Sequence, residues 1–214
     1  MKRYSAVRIA MMLFSMIPMS FGVTLFTLSG FGNDPFTGMN MALAAFAGLS
    51  FGTMQLLVNA ALFLLVLIFE RKLFGFGTII NMVSIGYLVD FFKWLWKLIL
   101  PVPDTILPRV LLLAAGVLVL SLGAALYFTA DMGVAPYDST AFLLSDRTPL
   151  PYAPARMLTD IACVIVCVVF GGGVGLGTLV SALCLGPFIT FFRIHCSERI
   201  LAHGEKAAKG DDER

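Results

Sequence analysis

Charge is scarce in this chain. Only 13% of its 214 residues are Asp, Glu, Lys or Arg, about half the share that a soluble domain carries. Histidine is scarcer still: the two, His195 and His203, both stand near the C-terminus. No Ser/His/Asp order on a workable scaffold and no metal-ligand cluster can be assembled, so neither an enzymatic reaction nor a cofactor is expected. The net charge of +2 is too small and too scattered for a nucleic-acid surface, which removes nucleic acid as a partner. The four cysteines, Cys163, Cys167, Cys184 and Cys196, fall in or beside the last two apolar runs and imply no disulfide framework. Cys163 and Cys167 share a helix face, yet no His or carboxylate stands at matching spacing, and they read as small apolar fillers.

What the chain has in abundance is apolar residues, at 59%. Its charges are bunched at 1–8, 70–72, 93–109, 145–156 and 193–214, and the runs between are long enough to cross a bilayer, which takes about 20 helical residues. The first run, Ile9 to Leu28, is too long for a signal-peptide core and lacks a clear cleavage site, so it is expected to remain as a helix. The predicted class is an all-α integral membrane protein whose first partner is the lipid bilayer. The stretch from Glu205 to Arg214 is short and mixed in sign, and is expected to be a disordered tail.

The chain also repeats itself. A shift of 101 residues sets Arg8 on Arg109, Gly22 on Gly123, Gly32 on Gly133 and Pro35 on Pro136. A shift of 100 sets Gly75-Phe76-Gly77-Thr78 on Gly175-Leu176-Gly177-Thr178, and Gly86 on Gly186. These matches fall at bends rather than within leucine runs, so composition alone does not generate them. Duplication inside a hydrophobic chain is a common plan of membrane transporters. The units are placed at 1–98 and 109–196, joined by a loop at 99–108 and followed by a cytoplasmic tail at 197–214.

Each unit opens with a basic residue and a long helix, then breaks at Gly30–Pro35 or Asp131–Pro136. Glycine permits left-handed backbone, and proline suits the first helical position, where its missing N–H costs nothing. A new helix is therefore predicted from each proline, with Asp34 as its cap in the first unit and Asp138 in the first turn of the second. Both new helices are short. Pro35–Gly48 and Pro136–Asp146 cover about 16 to 21 Å, well under the ~30 Å hydrocarbon thickness. With these as re-entrant half-helices, each unit has three spans and the units lie inverted; full crossing would instead give eight spans and parallel units. Segment length favours six, with both termini cytoplasmic; the distribution of Lys and Arg barely discriminates.

Three polar groups stand out. The breaks and half-helices carry Asn33, Asp34, Thr37 and Asn40, then Asp131, Asp138, Ser139 and Thr140. Half-helix N-termini aimed at the membrane midplane would form a site for an anionic or polar solute, whereas at the interface the same acids would only cap helices. The second group is Gln55 with Asn59, matched by Arg156 with Asp160; each pair is spaced i, i+4, and the latter is a ready ion pair. Intramembrane ionisable residues are costly and usually face a bundle interior, although Arg156 could snorkel and Asn59 and Asp160 could simply bond between helices. The third group is Asn81 and Asp90 with Thr78 and Thr178. Asp90 is expected to pair with Lys93, and the Gly-x-Gly-Thr turns to pack two helices closely, with threonine bonding the backbone. No lysine follows these glycines, so they are not phosphate loops.

The segments Gly32-Asn33-Asp34-Pro35-Phe36 and Gly133-Val134-Ala135-Pro136-Tyr137-Asp138, with Arg8 and Gly22, resemble the repeated G-x-x-P-aromatic-Asp motif of the bacterial YczE/YyaS/YitT membrane proteins. The stretches from Gly77-Thr78 to Gly86 and from Gly177-Thr178 to Gly186-Pro187 are similar to that family's second signature. The resemblance spans about residues 8 to 192, and departs at Thr37, where the motif has Asp. It implies a multi-pass protein of the bacterial plasma membrane, presumed to transport, with no substrate to carry over. The expected function is a secondary transporter or exporter of a small polar solute, with Asn33, Asp34, Thr37, Asn40, Asp138 and Thr140 lining the path and Asn59, Arg156 and Asp160 contributing. No ATP-binding motif is present, so an ion gradient or an energy-coupling partner would drive it. The alternative is a non-transporting membrane scaffold or regulator acting through helix contacts. The small-residue face at Gly116–Gly123 permits a homodimer.

Overall fold

The computed structural model describes residues 5–69, 74–99 and 104–212, apart from the side chains of 152–153 and 207–212. The charge bunch at 70–72 and residues 100–103 of the expected connecting loop fall outside it. The described residues are helical, without strands: α1 (Ala6–Ser29), α2 (Pro35–Ala47), α3 (Phe51–Phe69), α4 (Phe76–Ile99), α5 (Ile106–Ala130), α6 (Pro136–Arg147), α7 (Tyr152–Val169), α8 (Leu176–Phe192) and α9 (Glu198–Asp212). A π-helical turn, Arg193–Ser197, joins the last two. Among the described residues five helices are long and apolar enough to cross a bilayer: α1, α3, α4, α5, and α8 with its continuation. The 18-residue α7 carries two charged residues, Arg156 and Asp160.

The helix boundaries follow local chemistry. Ser5 caps α1 through the Arg8 N–H, and Gly30 ends it at φ 67°. Asp34 caps α2 directly before Pro35. At the matching end of α5 the left-handed residue is Asp131, at φ 51°; a carboxamide or carboxylate side chain tolerates this region better than most non-glycine residues do.

The core is an antiparallel pair, α1 with α5, which makes the most extensive helix–helix contact. Close approach is set by glycine: a Cβ on Gly22 would stand 2.6 Å from Leu120 N, and one on Gly123 the same distance from Met19 N. Gly116 and Gly123 are buried against α1. The small-residue face expected to permit a dimer is therefore consumed inside the chain. Each basic residue near a helix start serves the end of the other helix. Arg8 Nη1 donates to Ala130 O at 3.3 Å, and Arg109 Nε to Ser29 O at 2.7 Å, where a cation meets both an unpaired carbonyl and the negative helix end.

Further bonds recur with the same offset. Gly77 N donates to Met132 O (2.9 Å) and Gly177 N to Phe31 O (2.7 Å). Thr78 Oγ1 donates to Val134 O (2.9 Å) and Thr178 Oγ1 to Asn33 O (2.7 Å). The glycine turns thus do bring helices together, but each threonine binds the break in the other half of the chain. Thr78→Val and Thr178→Val should each cost about 1 kcal/mol, the worth of one such hydrogen bond, and the double variant about the sum. Denaturation of the detergent-purified protein would measure this.

The C-terminal expectation needs correction. Instead of a disordered tail from Glu205, α9 continues to Asp212. It returns to α1, where Arg8 Nε bonds Glu205 Oε1 at 3.0 Å and Gly204 sits against Val7. That contact offsets the entropy of ordering the segment, and it puts the start of α1 and α9 at one end of the bundle.

Candidate ionic site at the half-helix junction

The short helices α2 and α6 meet N-terminus to N-terminus. Phe36 and Tyr137, each directly after its proline, stack with centroids 4.2 Å apart and planes 12° apart. Cys163 of α7 and Val58 and Leu62 of α3 surround them, so the junction is halfway along both long helices. From there the two run outwards: Phe46 near the end of α2 packs on Phe170, and Arg147 at the end of α6 stacks on Phe69. Two positive helix ends consequently face one locus.

Carboxylates gather there. Asp34 Oδ1 accepts the Thr37 N–H at 3.1 Å and is within electrostatic reach of Arg156 and Asp160. Asp138 does not cap α6; it pairs with Arg156 Nη1. Arg156 Nε stands 3.5 Å from Asp160 Oδ1, and its guanidinium covers the Tyr137 ring at 4.5 Å. The Tyr137 hydroxyl donates to Asp160, closing a ring of Tyr137, Arg156 and Asp160 to which Asp138 is joined through Arg156. Arg156, Asp138 and Asp160 are only about a fifth to a third exposed, and Tyr137 is buried, so their coupling is stronger than that of a surface pair. Three carboxylates face one guanidinium, an excess of negative charge that the helix ends partly offset.

The matching places in the first half are neutral: Thr37, Gln55 and Asn59, all buried. Asn40 is buried too, donating to Phe36 O at 2.8 Å while its Oδ1 has no partner. Gln55 Oε1 is likewise unpartnered. Thr140 Oγ1 turns back to Tyr137 O at 2.6 Å within its own helix, and the Asn33 amide contacts Thr27 and Met41. Of the residues read from sequence, Asp138, Arg156 and Asp160 are bonded together, with Asp34 beside them; Thr140 and Asn33 bond locally. Tyr137 and Phe36 were not singled out for a site, although an aromatic after each repeated proline was the available signal. Asp90 is within electrostatic reach of Lys93, as expected, and its Oδ2 also accepts the Gly52 N–H at 2.7 Å.

A crevice beside the junction is lined by Asn33, Asp34, Gly38, Cys167, Val174 and Thr178, and has no room for a water molecule. Among the described residues no group of His, Cys, Asp or Glu could hold a metal ion. Cys163 and Cys167 are free and buried, as fillers would be.

A chain whose described residues are all-helical, with five membrane-length apolar helices among them and an ionic cluster where α2 and α6 meet, is a multi-pass membrane protein. It belongs to DUF6198, a family of unknown function whose model matches residues 6–194. It is similar to an uncharacterised protein of Haemophilus influenzae, 28% identical over 184 residues, covering 86% of this chain and 82% of that one. It is also similar to two proteins of Bacillus subtilis. The uncharacterised membrane protein YczE is 28% identical over 178 residues, 82% of this chain and 80% of YczE. The uncharacterised protein YyaS is 24% identical over 171 residues, 80% and 84% respectively. No solved structure matches the chain.

Proposed function

We propose that the protein is a secondary transporter or exporter of a small polar solute, built from two inverted repeats of three spans and one re-entrant half-helix. The observation that carries the reading is the meeting of the α2 and α6 N-termini around Asp138, Arg156, Asp160 and Tyr137. Non-helical backbone and ionised groups at membrane depth persist where they serve a polar path. The antiparallel course of α1 and α5 supports inversion, because an even number of full crossings, α3 and α4 with α2 re-entrant, must then lie between them. α7 then serves as the sixth span, its charges turned to the cluster. The protein acts without a catalytic step, is driven by an ion gradient or a partner, and resides in the bacterial plasma membrane with both termini cytoplasmic.

The tight crevice favours a second reading, a scaffold or regulator whose polar residues only join helices. Thiol labelling separates the two. In a chain with its native cysteines replaced by alanine, Thr140→Cys should react with a membrane-impermeant maleimide from one side, and transported solute should slow the reaction. Asp138→Asn should insert normally but lose that solute effect. Inaccessibility of position 140 from both sides would leave the scaffold reading. A topology reporter fused after Gly48 is expected outside and one after Gly75 inside; the reverse pattern would mean eight spans.

A further inference from the structure

Two seams that should match do not. α3 lies along α4 so closely that a Cβ on Gly86 would stand 2.7 Å from Gly52 Cα and 3.0 Å from Gln55 Oε1. Asp90 fastens this seam through the Gly52 N–H at 2.7 Å. On the other side α7 and α8 scarcely touch beyond their connecting turn. Gly186, the counterpart of Gly86, has nothing within 4 Å of where a Cβ would be. Ile85, Gly86 and Val89 are buried in α4, whereas Leu185, Gly186 and Ile189 of α8 are not. α8 packs on α5 much as α4 packs on α1, while α7 leans on α2 more heavily than α3 does on α6. It is therefore α7 that stands away from its neighbour.

This sorts the helices into two sets. α1, α4, α5 and α8 form one, held by α1–α5, α1–α4 and α5–α8 contacts; α2, α3, α6 and α7 form the other, held by α2–α7, α3–α6, α2–α3 and α6–α7 contacts. The breaks that lead into α2 and α6 are bonded to the starts of α8 and α4 through Thr178 and Thr78. They contain Gly32 at φ 99° and Gly133 at φ 118°, backbone that only glycine adopts easily. The crevice at Asp34 sits at the apex of the wedge between α7 and α8. The wedge widens towards the end that carries Arg8 and α9.

We propose that α2, α3, α6 and α7 rock as one unit against α1, α4, α5 and α8, pivoting at the two breaks. The structure holds one end state, with the α3–α4 seam shut and the α7–α8 wedge leading down to the closed crevice beside Asp34. In the other, α7 closes on α8, bringing position 153, the counterpart of Gly52, to Gly186, while α3 leaves α4. The two states are built from counterpart contacts, so their packing energies are close and the second is populated. They are not equal. The counterpart of Asp90 is Thr190, whose hydroxyl donates to Gly186 O within its own helix at 3.0 Å, so only the α3–α4 seam has a charged latch. Release of that latch is the step that a solute or coupling ion must bias.

The inference rests on the transporter reading of the junction, but its test needs no solute. In full-length chain in native membranes, with the four native cysteines replaced by alanine, Ala153→Cys is combined with Gly186→Cys and exposed to a mild oxidant. An intramolecular disulfide should form slowly. Asp90→Asn should speed it about tenfold, the scale of one charge-assisted hydrogen bond. No cross-link in either background, with both single-cysteine chains still reactive to maleimide after detergent extraction, would overturn the proposal. Equal rates with and without Asp90 would overturn it too. Cross-linking without any solute effect at position 140 would sink transport and leave the rocking; a solute effect without cross-linking would do the opposite.

Discussion

Arg156→Ala should be among the most damaging single substitutions in this protein. It leaves Asp138 and Asp160 facing each other inside the bundle with no cation between them and removes the guanidinium from the Tyr137 face. Removing one partner of a buried pair costs about 3–5 kcal/mol; these groups are partly exposed, so roughly 3 kcal/mol is expected. The measurement is the loss of folded protein on heating in detergent. Arg156→Lys should recover part of it, because an ammonium cannot form the planar fork that spans two carboxylates. The sequence itself supplies the compensating variant. Asp138→Thr, Arg156→Gln and Asp160→Asn together would give the second half the neutral set of the first half, Thr37, Gln55 and Asn59. That triple variant should regain most of the lost stability, since replacing a whole ionic group costs less than orphaning part of it. The solute effect on position 140 should stay absent. Recovery of both would assign the charges a structural role alone.

Gly22→Leu should disrupt the fold itself. Even one Cβ at position 22 would meet the Leu120 backbone at 2.6 Å, and backbone cannot swing aside as a side-chain tip can. Overpacking by a methyl group or two costs about 1–3 kcal/mol, and a leucine here must push α1 from α5 along the central contact of the molecule. Gly123→Leu should do the same from the opposite helix, where Met19 N is the obstacle. Gly186→Leu is the contrast, because its Cβ would meet open space and helix propensity favours the change. Recovery of folded protein after membrane extraction should fall several-fold for the first two and stay level for the third. Normal recovery of Gly22→Leu would mean that α1 and α5 do not pack as closely as described.

Much of the local structure was legible because it depends on near neighbours in sequence. Pro35 after Asp34 starts a helix whatever surrounds it, and α2 begins there. Gly30 and Gly48 end helices because they adopt left-handed backbone at low cost. The ionic pair was legible in part, since Arg156 and Asp160 share a helix face at i, i+4. Its third member was not, because Asp138 reaches Arg156 from another helix, and spacing along the chain does not give that distance. The second contact of Asp90 was hidden for the same reason. Lys93 was visible as a nearby cation in sequence, but the Gly52 N–H at the start of α3 reaches Asp90 from another helix. The tail misled because mixed charge reads as solvated until a partner such as Arg8 is in view.

The sequence by itself determined an all-helical membrane protein, because hydropathy, helix length and the glycine and proline stops act over one or two turns. Only the tertiary structure decided that α1 and α5 run antiparallel, that the short helices α2 and α6 meet at Phe36 and Tyr137, and that one seam is shut while its counterpart stands open. Those outcomes depend on which surfaces find each other across about a hundred residues of chain. Packing and the pairing of buried polar groups select among such arrangements, and local propensity does not.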